Sequence, residues 1–409
     1  MEIKIFKKAI VLSLTLLFSE MALAQTTQIV YLNDSKIRVD LNNIEFDVAK
    51  ALKTVRLELK SLNFRRIGAA FDAIGKDIDR EFSDVDFEII DVNPGVEPKY
   101  GNTAEKTKRV VKSYQVDKDD KLVINNQYGK VAVHVWNKNE IKVEVEIKAF
   151  ESSENRANQL LDHVNISETQ VNNLISFKTN FGKISENFRS YINKGGGDAR
   201  RIQVNYVIYM PAKNALDIDN KYGGIEIDDF AGPLNINSVY GSFSAGKIDH
   251  PENQVKVTYG SASIDNFSNG DLLVTYGSLK LNEADKLNAT IKYSSAKIAH
   301  LSNGGTFSLA YSGGFKIDTV DKNVKNLNIN SAYSGLTLGF DEAADFDLDV
   351  TVSYAGFNYI ANQITIMDQA LNNPKSKAWN PTKHFLGRIG KGSESKIVIK
   401  SSYGSVKFL

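Results

Sequence analysis

Beyond residue 120 apolar and polar positions alternate, and the alternation changes phase at regular intervals. Each change falls at a tyrosine followed by a small residue: Tyr128, Tyr222, Tyr240, Tyr259, Tyr276, Tyr293, Tyr311, Tyr333, Tyr354 and Tyr403. The following residue is Gly in six of these ten copies, Ser in three and Ala in one. Successive spacings from Tyr222 to Tyr354 are 18, 19, 17, 17, 18, 22 and 21 residues. A period of this kind implies one structural unit stacked on itself.

The flanks set the geometry. Four residues before each tyrosine stand Ile124, Ile218, Ile236, Val255, Leu272, Ala289, Phe307, Ile329, Val350 and Ile399, all apolar. Two residues before it the side chain is apolar or small and polar, as in Asn126, Asn220, Ser238, Val257 and Ser401. Period two puts both positions on one strand face together with the tyrosine, so the rings are expected to point inward. After the tyrosine the apolar positions lie three and five residues on, as in Val131 and Val133, Ile225 and Ile227, Leu279 and Leu281, or Val406 and Phe408. The odd offset requires an extra residue at a corner. The small residues there suit a bend with unusual backbone angles.

Each unit therefore reads as strand, corner, strand and turn, with Asp265-Asn266, Ser302-Asn303-Gly304-Gly305 and Asp321-Lys322-Asn323 as loops. A unit this short fits one coil of an all-β solenoid, resembling a parallel β-helix, with two or three strands of about four to six residues. Equivalent tyrosines would then stack as a ladder at about the 4.8 Å interstrand spacing. A left-handed hexapeptide helix needs an apolar residue every six and does not fit the offsets. An outer-membrane barrel needs strands of about 9–11 residues.

The remaining chain is less regular. Ile44, Val48, Leu52, Val55, Leu59 and Leu62, then Ile67, Phe71, Ile74, Ile78 and Phe82, recur at helical spacing, so 44–82 is read as an amphipathic helical segment. It would pack on the body, or serve self-association, a partner or a membrane surface. Residues 25–43 form a polar lead-in and 83–120 a charged linker, so 25–120 precedes a β-strand-repeat domain spanning 121–409. Within that domain a short helix runs from Ser153 to Val164, with strands around 171–181 and 201–210. Gly195-Gly196-Gly197 lacks the ending of a phosphate loop and reads as a hairpin tip. Regular repeats cover about 214–360, and 361–395 is an insertion or lid before the last copy.

Lys4, Lys7 and Lys8, the largely apolar run Ala9 to Phe18 and the small residues Ala22-Leu23-Ala24 make residues 1–24 a secretory signal peptide. Export to the periplasm, cell surface or medium follows, with no transmembrane segment expected after cleavage. The chain contains no cysteine, so stability is left to the core. Its net charge is +1. This argues against an electrostatic nucleic-acid partner.

Catalytic chemistry is hard to find. His134, His163, His250, His300 and His384 are scattered, and no zinc spacing or serine-nucleophile elbow occurs. Asp345, Asp347 and Asp349 share a solvent face, but no calcium-loop glycine pattern accompanies them. No catalytic, cofactor or metal residues are assigned. Outward positions such as Asn235, Asn237, Lys256, Thr258, Thr275, Thr290, Lys292, Ser308, Asn328 and Asn330 are mostly small and neutral, a face able to hydrogen-bond a cell-surface glycan or protein.

The Tyr-Gly-Ser and Tyr-Ser-Gly units, the opening strand Asn126-Gln127-Tyr128-Gly129 and the closing Ile397-Val398-Ile399-Lys400-Ser401-Ser402-Tyr403-Gly404 resemble the "putative adhesin" family of secreted bacterial β-strand-repeat proteins, a domain of unknown function. The resemblance covers roughly 121–409. It implies a β-solenoid without catalytic residues. The expectation is an exported, non-enzymatic binding protein of the cell envelope. A structural or signalling component assembled through 44–82 is the alternative, and a glycan-active enzyme a more distant one.

Overall fold

The computed structural model describes residues 27–32, 35–40, 104–182, 201–360, 363–370 and 381–409. The signal region, the helical pattern of 44–82 and the Gly195-Gly196-Gly197 tip lie outside them. The chain divides into two compact units, Met1–Lys99 and Tyr100–Leu409. In the first, Thr27–Leu32 and Ser35–Asp40 pair as an antiparallel hairpin, where the sequence suggested only a polar lead-in.

The second unit is all-β, with one 25-stranded sheet and, among the described residues, one helix. Its repeats pair in parallel and in register. Leu216–Lys221 pairs with Leu234–Val239, Asn235–Val239 with Gln254–Thr258, and Gln254–Thr258 with Asp271–Thr275. The strands after the tyrosines do the same, as Ile225↔Phe243, Phe243↔Ala262 and Ala262↔Leu279 show. A third short side is aligned through Ile248↔Phe267, Phe267↔Ala284, Ala284↔Leu301 and Leu301↔Val320, and all five residues are buried. Asp265-Asn266 is accordingly no loop but part of the continuous strand Ser261–Thr275.

The core follows the apolar columns. Every residue four before a tyrosine is at most 4 % exposed, and those two before it at most 6 %. Of the columns after the corner, Val131, Ile225, Phe243, Leu279 and Leu336 are likewise buried. Removing each such side chain from water contributes roughly 1.5–3 kcal/mol.

Antiparallel strands flank the parallel stack on both sides. On one, Glu140–Glu151 pairs with Arg201–Met210 and with Ala104–Gln115. The helix Glu154–Asp162 buries Ala157, Leu160 and Leu161 here. On the other, Phe346–Ser353 pairs antiparallel with Thr382–Ile389, which pairs with Ile364–Ala370. Residues 104–115, read from the sequence as linker, are thus a strand. Its charges disguised it: Arg109 reaches Glu146 at 2.7 Å, Lys106 reaches Glu154 at 2.8 Å and Lys112 reaches Glu168 at 2.8 Å. Among the described residues this strand pairs only with Glu140–Glu151, and charge on such an edge deters pairing with other chains.

At the start of the parallel stack Lys121–Gln127 lies between Leu174–Phe181 and Leu216–Lys221. Among the parallel repeats from Leu216–Lys221 onward, spatial order departs from chain order once. Lys396–Ser402 lies between Asn326–Ala332 and Phe346–Ser353, parallel to both. Tyr403 therefore stands between Tyr333 and Tyr354.

Candidate functional site

The tyrosines do not point inward. All ten have left-handed backbone, with φ between 50° and 61°. Alternation of side chains between faces holds only while successive residues stay extended. A left-handed residue swings its side chain off the expected face, so the ring leaves the core line and lies along the outside of the corner. Tyr259 is 36 % exposed and Tyr311 and Tyr354 are 52 % exposed. Each backbone N–H still continues the sheet: that of Tyr240 donates to Thr258 O at 3.0 Å and that of Tyr333 to Ser402 O at 2.8 Å.

The rings form one continuous row. Ring centres of neighbours from Tyr128 to Tyr333, then Tyr403 and Tyr354, are 4.7–5.2 Å apart with planes within 9° of parallel. Phe181 stands edge-on to Tyr128 at 5.5 Å and 87°. It occupies the tyrosine position of a degenerate copy, since Ile124 pairs with Phe177. A left-handed non-glycine residue costs roughly 1–2 kcal/mol. Each ring stack contributes about 0.5–1.5 kcal/mol, an offset of the same order. Burial, then the neighbouring phenols of Tyr354 and Tyr333, push the Tyr403 hydroxyl above its usual range.

The glycine after the tyrosine answers a different need from the one its sequence suggested. Its φ is ordinary; what it provides is space. A Cβ on Gly223 would lie 2.0 Å from Gly129 O, and one on Gly260 1.9 Å from Gly241 O. Where serine stands instead, its hydroxyl enters the corner: Ser294 Oγ accepts from Gly277 N–H at 3.0 Å and Ser334 Oγ from Ser312 N–H at 2.8 Å. The polar residues two before the tyrosine brace the same turn from inside. Asn220 Nδ2 donates to Gly223 O at 2.9 Å, Ser331 Oγ to Ser334 O at 2.7 Å and Ser401 Oγ to Gly404 O at 2.6 Å. Asn126 extends a buried chain to Thr179 and Tyr206, whose phenol burial pushes up to about 12 against the Thr179 hydrogen bond.

Beside the tyrosine row runs a face of short polar columns. Asn288, Thr306 and Asn328 align, as do Thr290, Ser308 and Asn330. Farther along, Asn235 and Asn237 donate to Asp217 and Asp219 at 3.0 and 3.2 Å. This face supplies hydrogen-bond donors and acceptors.

Two further clusters belong to the surface. Asp347 pairs with Arg388 at 3.1 Å, and Asp349 with His384 at 2.9 Å and Lys396 at 3.0 Å. Asp347 and Asp349 are thus matched by side chains of neighbouring strands. Burial pulls the Asp349 carboxyl up, but His384 and Lys396 outweigh it and hold it below the usual range. The second cluster escaped sequence reasoning: a cleft of about 320 Å³ lined by His134, Glu226, Asp228 and Asp265, above Ser244, Gly246 and Ser263. Its trace in the sequence was only a run of small outward residues between larger ones. Each carboxylate has a partner: Glu226 meets Lys130 at 2.5 Å, Asp228 meets His134 at 3.4 Å, and Asp265 accepts from Asn282 at 2.9 Å. Trp136 stacks on Tyr209 with ring centres 5.4 Å apart. Among the described residues no group of His, Cys, Asp and Glu is arranged to hold a metal, and no helix is long and apolar enough to cross a membrane.

No protein-family model matches the chain, and no curated protein matches it. Among solved structures it is similar to a "putative adhesin" from Parabacteroides distasonis, with 11 % identity, 74 % of this chain and 97 % of that one covered, and a TM-score of 0.31. A "putative adhesin" from Parabacteroides merdae shares 10 % identity over 74 % and 96 % of the two chains, with a TM-score of 0.24. A "putative cell adhesion protein" from Clostridium sporogenes shares 10 % identity over 74 % and 99 %, with a TM-score of 0.17.

Proposed function

We propose that the chain is an exported, non-enzymatic β-solenoid that binds a cell-surface glycan or protein through its outer strand faces, an adhesin in the broad sense. Parallel, in-register pairing on three sides of the central repeats supports the solenoid reading. The charged start and apolar run of residues 1–24 support export. One observation carries the binding reading: over three successive repeats, columns of short, uncharged polar side chains form a face bordered by the tyrosine edges. Because ring faces are taken up by neighbouring rings, the tyrosines offer edges and hydroxyls rather than platforms for stacking a sugar.

The test is an array of glycans and matrix proteins probed with the full chain and with a Thr290→Glu, Ser308→Glu, Asn330→Glu variant, whose three carboxylates stand on the central face. Binding by the parent and loss in the variant is expected. Binding that survives the three charges would place contact elsewhere and overturn the assignment. Cell fractionation tests export: retention in the cytoplasm would refute it.

A glycan-active enzyme draws on the cleft, where Glu226, Asp228 and Asp265 gather. Turnover of a polysaccharide that Asp228→Asn abolishes would favour it over simple binding.

A further inference from the structure

The tyrosine row carries a reactivity that binding does not use. Tyr240, Tyr293, Tyr311, Tyr333 and Tyr403 are 48–52 % exposed while their ring faces lie against neighbours. Solvent therefore meets ring edges. The para hydroxyl is the ring substituent farthest from the backbone, and the two ortho carbons flank it. Those are the atoms through which oxidised phenols join.

We propose that this row is a site of oxidative tyrosine–tyrosine coupling that links one copy of the chain to another. Hydrogen peroxide, acting through a peroxidase-type one-electron oxidant, takes one electron and one proton from each of two phenols. The resulting phenoxyl radicals join through their ortho carbons. The hydrogens on those carbons then move to the phenolic oxygens, restoring both aromatic rings. The peroxide receives two electrons and two protons and leaves as two waters, so two tyrosines and one peroxide give one dityrosine and two waters.

Geometry selects the partner. The new carbon–carbon bond lies in the plane of both rings, so the rings must meet edge to edge. Neighbours within a row are held face to face, within 9° of parallel, by backbones whose N–H groups are locked into the sheet. In-plane approach between them is closed. The exposed edges of two rows can meet, and both rows share one pitch, so alignment at one pair aligns the pairs beside it. The chain has no cysteine, which leaves disulfide linkage closed to it.

The test treats a mixture of isotope-labelled and unlabelled full-length chain with a haem peroxidase and hydrogen peroxide. Denaturant-resistant dimers with dityrosine fluorescence should form, and peptide mapping should find mixed-isotope links between tyrosines of the row. Replacing Tyr240, Tyr259, Tyr293, Tyr311, Tyr333, Tyr354 and Tyr403 together by Phe keeps the rings stacked and should remove most of the product. Links mapped mainly to tyrosines off the row, such as Tyr114, Tyr209 or Tyr359, would overturn the proposal. So would single-isotope links within one row, or an undiminished yield in a folded Phe variant. Should that variant fail to fold, the map of the parent protein decides alone.

Discussion

Replacing Tyr259 separates the two forces that hold the row. Its ring centre lies 4.7 Å from Tyr240 and 5.0 Å from Tyr276, both within 6° of parallel, and its backbone φ is 56°. Truncation to Ala removes two stacks, about 1–3 kcal/mol in total, and keeps a Cβ in the left-handed region. Truncation to Gly loses the same stacks but relieves roughly 1–2 kcal/mol of strain. Against this, glycine gives the unfolded chain about 0.4–1 kcal/mol more conformational freedom to lose. The balance leaves Tyr259→Gly more stable than Tyr259→Ala by roughly 0.5–1 kcal/mol. That order is opposite to a strand or helix interior, where Gly is the worse residue. Tyr259→Phe keeps the stacks and stays close to the parent. Amide hydrogen exchange at Tyr240 and its neighbours reads local opening free energies without requiring two-state unfolding. Equal or reversed order of Gly and Ala would refute the strain argument. A loss of about 3–5 kcal/mol in the Ala variant would instead mean a buried ring, as in core truncation.

Glycine substitutions should divide by place in the corner. Gly260→Ala puts a Cβ 1.9 Å from Gly241 O and should lower the melting temperature clearly, whereas Gly356→Ala meets nothing within 4 Å and should be near neutral. Phe267→Ala, which empties a fully buried third-side position, should cost about 3–5 kcal/mol by denaturant unfolding; a surface-like loss under about 0.5 kcal/mol would contradict that side's place in the core. Asp349, Asp318 and Asp321 have folded-state carboxyls held below the usual range. Stability from them is complete above an unfolded value of about 3.9 and is lost as pH falls through the lower folded values, so melting should fall steeply below about pH 4. In Asp349→Asn that acid-limb slope should be shallower, and an unchanged slope would remove Asp349 from the account.

The apolar columns were legible because burial at fixed offsets survives any error about the corner itself. Ile218 and Asn220 before Tyr222, and Ile225 and Ile227 after it, are buried where the pattern put them. The direction of the rings was not legible. Period-two counting assumes extended backbone, and the single left-handed residue in each unit is the tyrosine being counted. Ala104–Gln115 was hidden by salt-bridged charges, since a strand flanking the stack does not alternate cleanly. The cleft of His134, Glu226 and Asp228 unites residues nearly a hundred positions apart, brought level by Ile225–Ile227 pairing with Val131–Val133. The place of Tyr403 was equally invisible. Every repeat presents the same apolar columns, so composition does not state which copy a strand adjoins.

That sameness bears on how the chain reaches its final topology. Repeats from Leu234–Val239 up to Asn326–Ala332 can each dock on the copy before them as synthesis proceeds. Phe346–Ser353 cannot take its final place in this way, because Lys396–Ser402 must come to lie between it and Asn326–Ala332. Yet Phe346–Ser353 has the same columns, with Leu348, Val350 and Val352 matching Leu327, Ile329 and Ser331 through their shared partners Ile397, Ile399 and Ser401. It can close on Asn326–Ala332 prematurely and shut the later strand out. From Leu216–Lys221 onward, folding thus meets one decision point in an otherwise processive assembly. Long-range, parallel pairing is slow to form, so the open slot is the interval in which this chain is most exposed to misassembly.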